Sequence, residues 1–293
     1  MKSNVIEQIT DRVIEMMETH GANWTQPWIA STVEHGAPRS AAGRPYSGVN
    51  RWALQLAMMD NGWDQPIFAT FKQWKSMGAV VTKGSKGTHV VWFSKITKED
   101  ETGEQVSIPV LKSFVVFNID QVQGADGLRI EPETIPDEND WEQHVTAEAV
   151  LSGSGAVLRH VHGDRAFYAP SVDAITLPQR EQFADPAGYY GTALHELVHW
   201  TGHESRLNRE FGKRFGDSAY AFEELVAEMG AAILCGITGV TNEPREDHAK
   251  YLNNWLNVLK KDKRALITAC SHAEKAARFA LDTADMSSLV EAA

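Results

Sequence analysis

The chain has 293 residues and a formal net charge of −11, with 43% apolar and 23% charged residues. That length suits about two domains, and the apolar content excludes a disordered or fibrous chain. Two cysteines, Cys235 and Cys270, exclude a disulfide framework and predict a reducing compartment. No apolar run reaches the roughly 20 residues of a membrane span. The segment after Met1 carries Asp11, Glu15 and Glu18. These are the wrong flanks for a signal peptide, and the expected location is the cytoplasm. The net charge argues against a nucleic-acid partner, but its distribution weakens that argument. Residues 1–130 hold 13 Lys+Arg and 13 Asp+Glu, and residues 39–86 hold seven basic residues against two acidic ones. A local basic patch can bind phosphate on an acidic chain.

Along the chain, Val5, Ile6, Ile9, Val13, Ile14 and Met17 recur at helical spacing and predict an amphipathic helix over 3–20. A loop follows through Trp24, Pro27, Trp28, Pro38 and Pro45. Residues 48–60 read as a helix, and Thr70 caps a short helix to Met77. The apolar runs 78–82 and 89–93, around Lys83-Gly84-Ser85-Lys86-Gly87, predict a β-hairpin. Residues 98–104 form a charged turn before a strand over 110–118. The first half is therefore α+β. Residues 123–140 are rich in Gly, Pro and acid and predict a linker. A helix and a strand follow over 141–162, then a hairpin of 166–169 and 173–177 around Pro170-Ser171. That hairpin suits either a core role or an extended peptide added as a strand. Residues 251–281 are a helical run.

Six of nine Trp residues lie in the first 92 positions, several beside basic residues. Basic residues that track a backbone, with aromatics that stack bases, are the physics of single-strand binding. The candidate contacts are Arg39, Arg44, Arg51, Lys72, Trp74, Lys75, Lys83 and Lys86. Most Trp residues of a small domain are buried, so only one or two exposed rings are expected.

The second half carries the most specific signal. His195-Glu196-Leu197-Val198-His199 is an H-E-x-x-H pattern. On a helix, positions i and i+4 share a face, so both imidazoles can reach one metal, with Glu196 beside them as general base. A third His six residues after His199 would be needed for the metzincin spacing, and Ser205 stands there. His203 follows Gly202, which ends the helix. A carboxylate from the helix 220–229 is the better third ligand, with Glu223, Glu224 and Glu228 as candidates. One division gives Glu224 to the metal and Glu228 to the N–H of a ligating imidazole. The pair of helices resembles the gluzincin-type zincins, and that resemblance favours Glu224 over Glu223. Zinc is the default ion and manganese the alternative. Tyr189, Tyr190, Tyr220, His203 and Arg206 each suit an oxyanion stabiliser or a structural role. A nuclease is disfavoured, because two His and a Glu with a Glu base suit amide hydrolysis better than two-metal phosphodiester cleavage.

Tyr46-Ser47-Gly48-Val49-Asn50, Phe71-Lys72-Gln73-Trp74 and the run from Val81 to Thr88 resemble the N-terminal domain of the ArdC antirestriction family, itself similar to TraC-type primase N-termini. Residues 173–178, 195–203, 206–209 and 220–228 resemble its second half in the same order. The resemblance implies a single-stranded-DNA-binding domain at 1–125, a linker at 126–140 and a zincin-like metallopeptidase domain at 141–293. It also implies a conjugative-plasmid protein that protects incoming DNA from host restriction. Its expected partners are single-stranded DNA and a protein substrate, such as a restriction-system component, with no membrane. The competing expectation is a protein that only coats single strands and whose metal site is structural.

Overall fold

The computed structural model of the chain describes residues 5–20, 36–99, 105–131, 144–212, 218–240 and 248–286. These fall into two units. Residues 5–8 and Pro38–Ile130 belong to the first, and residues 9–20 and those from Glu131 onward to the second. Each unit combines helices with a sheet, so the fold class is α+β.

Helix α1 (Val5–His20) runs mostly with the second unit, where the Thr10 hydroxyl donates to the Lys263 carbonyl. In the first unit, β1 (Arg39–Ser40), α2 (Val49–Asn61), β2 (Ile67–Thr70) and α3 (Phe71–Ser76) precede β3 (Val80–Val81). Then come β4 (Thr88–Glu99), β5 (Gln105–Asn118) and β6 (Val122–Gln123). The main sheet has the order β1-β2-β5-β4. Helix α2 covers one face, where Leu54 and Met58 pack on Phe68, Val90 and Val116. On the other face Trp74 of α3 packs with Ile67, Ala69 and Ile119. Helix α3 starts at a capping box: Thr70 Oγ1 accepts from the Gln73 N–H and Gln73 Oε1 accepts from the Thr70 N–H. Asn50 of α2 lies against the outer edge of β4. Its carboxamide donates to the Val91 carbonyl and accepts from the Val91 N–H, each at 2.7 Å.

The predicted hairpin of 78–82 with 89–93 is not formed. Strand β3 pairs antiparallel with β6, and β4 pairs antiparallel with β5 over twelve positions. Lys98 and Glu99 of the predicted charged turn belong to β4, and residues 100–104 lie outside the described residues. The physical reason is length: a two-residue strand offers little ladder, whereas β4 and β5 can pair throughout. The packed first unit also runs beyond residue 125. The Gln65 carboxamide donates to the Ile130 carbonyl and accepts from its N–H, so residues 126–130 of the predicted linker are held against the unit.

The second unit contains α4 (Val145–Gly153), β7 (Val157–Val161), β8 (Phe167–Ala169) and β9 (Ala174–Pro178). These are followed by α5 (Pro186–Thr201), α6 (Ser218–Thr238), α7 (His248–Lys261) and α8 (Ala265–Thr283). Its sheet has the order β7-β9-β8, with β9 parallel to β7 and antiparallel to β8. The predicted hairpin of 166–177 is thus present. The helical run 251–281 is two helices, broken at residues 262–264. Helices α5, α6 and α8 bury Leu194, Leu197, Val226, Met229, Ala273 and Ala277. Gly230 of α6 lies so near α5 that an added Cβ would stand 2.9 Å from both Val198 methyls. Cys235 and Cys270 are free and buried. No described helix is long and apolar enough to cross a membrane.

Candidate metal centre

Helix α5 begins at Asp185, whose side chain accepts from the Gly188 N–H at 2.7 Å, with Pro186 at its first position. Its inner face carries His195 and His199, 2% and 8% exposed. The imidazole centroids stand 4.9 Å apart. Helix α6 runs alongside and supplies three buried carboxylates, Glu223, Glu224 and Glu228.

The three carboxylates divide the four ring nitrogens among them. Glu224 faces both Nε2 atoms, at 3.6 Å from His195 and 3.6 Å from His199. Glu228 Oε1 stands 3.3 Å from His195 Nδ1, and Glu223 Oε1 stands 3.1 Å from His199 Nδ1. The two 3.6 Å separations exceed a hydrogen bond. Glu224 turns Oε2 toward His195 Nε2 and Oε1 toward His199 Nε2, so one carboxylate faces both rings. One ligand atom from each of His195, His199 and Glu224 lies within 4.8 Å of the others, so this trio can hold a metal ion. Glu223 and Glu228 face the Nδ1 atoms, on the side of each ring away from Glu224.

Glu223 is itself clamped by Arg209, which the sequence singles out only through its place in the resemblance. Arg209 Nε donates to Glu223 Oε2 at 2.9 Å and Nη2 to Oε1 at 2.8 Å. The same guanidinium donates to the Val198 carbonyl at 2.6 Å and to Thr201 Oγ1 at 2.9 Å. Arg209 thereby ties α6 to the last turn of α5. Gly202 makes room for it: an added Cβ would stand 2.8 Å from Arg209 Nη2 and 2.7 Å from the Phe211 ring. The helix stop expected of Gly202 is present, but its smallness serves the guanidinium. Asn208, at φ 48°, turns the chain just before Arg209.

Four buried carboxylates (Glu196, Glu223, Glu224, Glu228) share this core with one guanidinium. With neutral imidazoles the cluster has three excess negative charges, which suits a divalent cation. The same excess of negative charge favours the charged form of His199. Burial opposes charging His199, but Glu224, Glu223 and Glu196 outweigh it and push its pKa up to about 9. Burial raises the Glu224 carboxyl, yet His199 and His195 hold it down to about 2. Glu223 is likewise lowered, with burial outweighed by Arg209 and His199. The donor set and its charge therefore fit a divalent metal.

The five oxyanion candidates separate by position. Tyr189 is buried and 3.0 Å from His160 Nε2, and the Tyr190 hydroxyl donates to Glu148 at 3.0 Å. Arg206 stacks on Trp200, with its Cζ 3.8 Å from the ring centroid, and binds Asp173 and the Tyr168 hydroxyl, which joins the β8–β9 corner to α5. His203 pairs with the Ser205 hydroxyl at 2.8 Å. Tyr220, one turn before Glu224 on α6, helps hold that carboxyl down.

The eight predicted nucleic-acid contacts do not form one cluster. Trp74 is 0% exposed, and its indole N–H donates to the Phe117 carbonyl at 3.0 Å. Its ring is core and offers no face to a base, which corrects the expectation. Lys72, Lys75, Lys83 and Lys86 are exposed on α3 and the turn before β4. Arg39 and Arg44 lie in and just after β1, at the sheet edge opposite β4, and Arg51 is half-buried on α2. Trp52 is buried and Trp63 half-buried, whereas Trp92 is exposed. Trp24 and Trp28 lie outside the described residues.

Comparison with known proteins places both halves. Residues 3–117 match the N-terminal domain of anti-restriction factor ArdC, and residues 145–272 match a zincin-like metallopeptidase domain. The chain is 37% identical to the DNA primase TraC of Escherichia coli over 94% of its own length, but spans only 27% of that primase. It is 32% identical to the uncharacterized protein y4eC of Sinorhizobium fredii, covering 94% of this chain and 91% of that one. Two crystal structures of the antirestriction ArdC protein from plasmid R388 superpose with a TM-score of 0.79 each. The metal-free form is 36% identical and the Mn(II)-bound form 34%, each covering 96% of this chain and 97% or 98% of the other. With both domains matched in order and nearly the whole length covered, the chain belongs to the ArdC antirestriction family.

Proposed function

We propose that the protein is a DNA-associated metallopeptidase that protects incoming conjugative DNA from restriction. Its first unit holds single-stranded DNA, and its second cleaves a protein partner. The observation that carries the peptidase reading is the buried trio His195, His199 and Glu224 with Glu196 beside it. His195, His199 and Glu224 would hold one divalent ion, either zinc or the Mn(II) found in the R388 relative. When bound, such an ion polarises a carbonyl and lowers the pKa of water at the site. Glu196 accepts the proton of the attacking water at its carboxylate and returns it to the leaving amine nitrogen. Glu228 and Glu223 keep the His195 and His199 Nδ1 atoms protonated, so that both Nε2 lone pairs face the ion. Tyr220 helps keep the Glu224 carboxylate charged. The first-unit reading is supported by the match to the ArdC N-terminal domain and by the similarity to TraC.

Glu196→Gln tests the reaction. The variant should bind Mn(II) and oligo-dT like the wild type and lose hydrolysis of a mixed fluorescence-quenched peptide library. Wild-type protein that cleaves nothing once loaded with zinc or Mn(II) would sink the peptidase reading. Equal protection of unmodified plasmid DNA by Glu196→Gln and wild type would assign antirestriction to strand coating alone.

A further inference from the structure

Among the described residues, one face of the first unit's sheet carries several exposed apolar side chains, and cross-strand pairing tells which share it. His89 pairs with Val115, Val91 with Ser113 and Phe93 with Leu111, so these stand on the side that α3 covers farther along. Phe117, on the same face of β5, meets Phe71 of α3 edge-on at 6.4 Å between ring centroids. Phe71 is 53% exposed and Phe93 58%, with Leu111 and Val115 also exposed. Leu111 and Phe117 stand about 20 Å apart at roughly 3.4 Å per residue, with Ser113 and the buried Val91 between the exposed apolar positions.

The turn Lys83–Gly87 lies against the same face. A Cβ on Gly87 would collide with Val115 Cγ1 and approach Phe117 Cε1 to 3.1 Å, so only glycine lets the turn sit there. The Gln121 carboxamide donates to the Lys86 carbonyl at 2.8 Å and pins it. From Gln65 to Lys98 the sequence has six lysines and no acidic residue. Lys72, Lys75, Lys83 and Lys86 are exposed, with no carboxylate partner among the described residues. The opposite face differs. Its exposed Trp92 already carries Lys112, 5.6 Å from the ring centroid, and α2 covers the adjoining sheet.

We propose that the face formed by Phe71, Phe93 and Val115, rimmed by Lys72, Lys75, Lys83 and Lys86, is where the protein binds single-stranded DNA. Unpaired bases stack on the two phenylalanine rings and the phosphates follow the lysines. The charge complementarity favours an anionic strand, and exposed rings favour one whose bases are free. This location rests on the reading that the first unit binds single strands.

The test uses full-length protein and fluorescein-labelled oligo-dT, with binding read by anisotropy across a series of salt concentrations. Phe71→Ala and Phe93→Ala should each weaken binding about tenfold or more. Lys83→Gln with Lys86→Gln should lower the salt slope by about 0.7 for each phosphate no longer neutralised. Trp92→Ala, on the opposite face, should leave affinity within about twofold. If wild type binds and the Phe71→Ala/Phe93→Ala double variant binds equally well, this face is wrong while single-strand binding stands. If wild type itself does not bind oligo-dT, both fall. Should the double variant fail to fold, Phe93→Trp reads the same surface. Oligo-dT should quench its added emission, and emission unchanged at saturating DNA would overturn the location.

Discussion

Replacing Arg209 with Met is the sharpest probe of how the two metal helices are joined. All four of its hydrogen bonds end on buried partners: two on Glu223, one on the Val198 carbonyl and one on Thr201. Arg209 and Glu223 side chains are each 3% exposed, so water does not screen the pair. Desolvating both charges offsets most of their attraction, and the pair as such adds little. Removing one partner is different. Glu223 would be stranded in the core with only the His199 ring beside it, a loss of about 3–5 kcal/mol. Hydrogen exchange of the α5 and α6 amides reads that loss for the second unit alone. Arg209→Met should lower their opening free energy by this amount and weaken Mn(II) binding about 10- to 100-fold, because Glu223 no longer fixes the His199 ring. The double variant Arg209→Met/Glu223→Met removes the stranded charge and should recover most of the stability but not the metal affinity. Exchange within about 1 kcal/mol of wild type in Arg209→Met alone would refute the argument.

Three further outcomes follow from the geometry. Glu224→Gln should abolish Mn(II) binding by calorimetry, whereas Glu228→Gln should weaken it about 10- to 100-fold; equal losses would erase the division between ligand and orienter. Gly230→Ala gains about 1 kcal/mol of helix propensity but overpacks Val198 at about 1–3 kcal/mol, so it should lower the thermal midpoint, and Val198→Ala in the same chain should restore it. Asp173 is held down to about 2, chiefly by its hydrogen bonds from Arg206 against the opposing effect of burial. Its folded pKa lies below the unfolded one, so its stabilisation is full above about pH 4 and fades as the pH falls toward 2. Asp173→Asn should therefore be less stable than wild type at near-neutral pH, with the gap closing in acid; a gap that stays constant down to about pH 2 would contradict this.

The features readable in the sequence are those that depend on one element at a time. The i, i+4 spacing of His195 and His199 survives into space because a helix preserves it, and the Thr70 cap is local for the same reason. The choice among Glu223, Glu224 and Glu228 is not local. It depends on how α6 crosses α5, and Gly230 against Val198 sets that closeness. The role of Arg209 is hidden in the sequence because its reach depends on a turn through Gly202 and Asn208. Trp74 misleads because lysines flank it in sequence, yet on a six-residue helix Trp74 faces the sheet while Lys72 and Lys75 face out. The lysine turn resembles a hairpin loop because periodicity says nothing about which distant strand, β5 or β6, completes a ladder.

The Asn50 side chain has a consequence for the protein's behaviour at high concentration. Among the described residues β4 ends its sheet, so its outward amides and carbonyls could recruit a strand from another molecule. Beside exposed Trp92 and Phe93 that would be an adhesive seam. By occupying both backbone groups of Val91, one carboxamide imitates a neighbouring strand for a single residue and breaks the continuity that intermolecular zippering requires. The motif from Tyr46 to Asn50 thus interrupts this edge beside exposed aromatic rings on both faces of the strand.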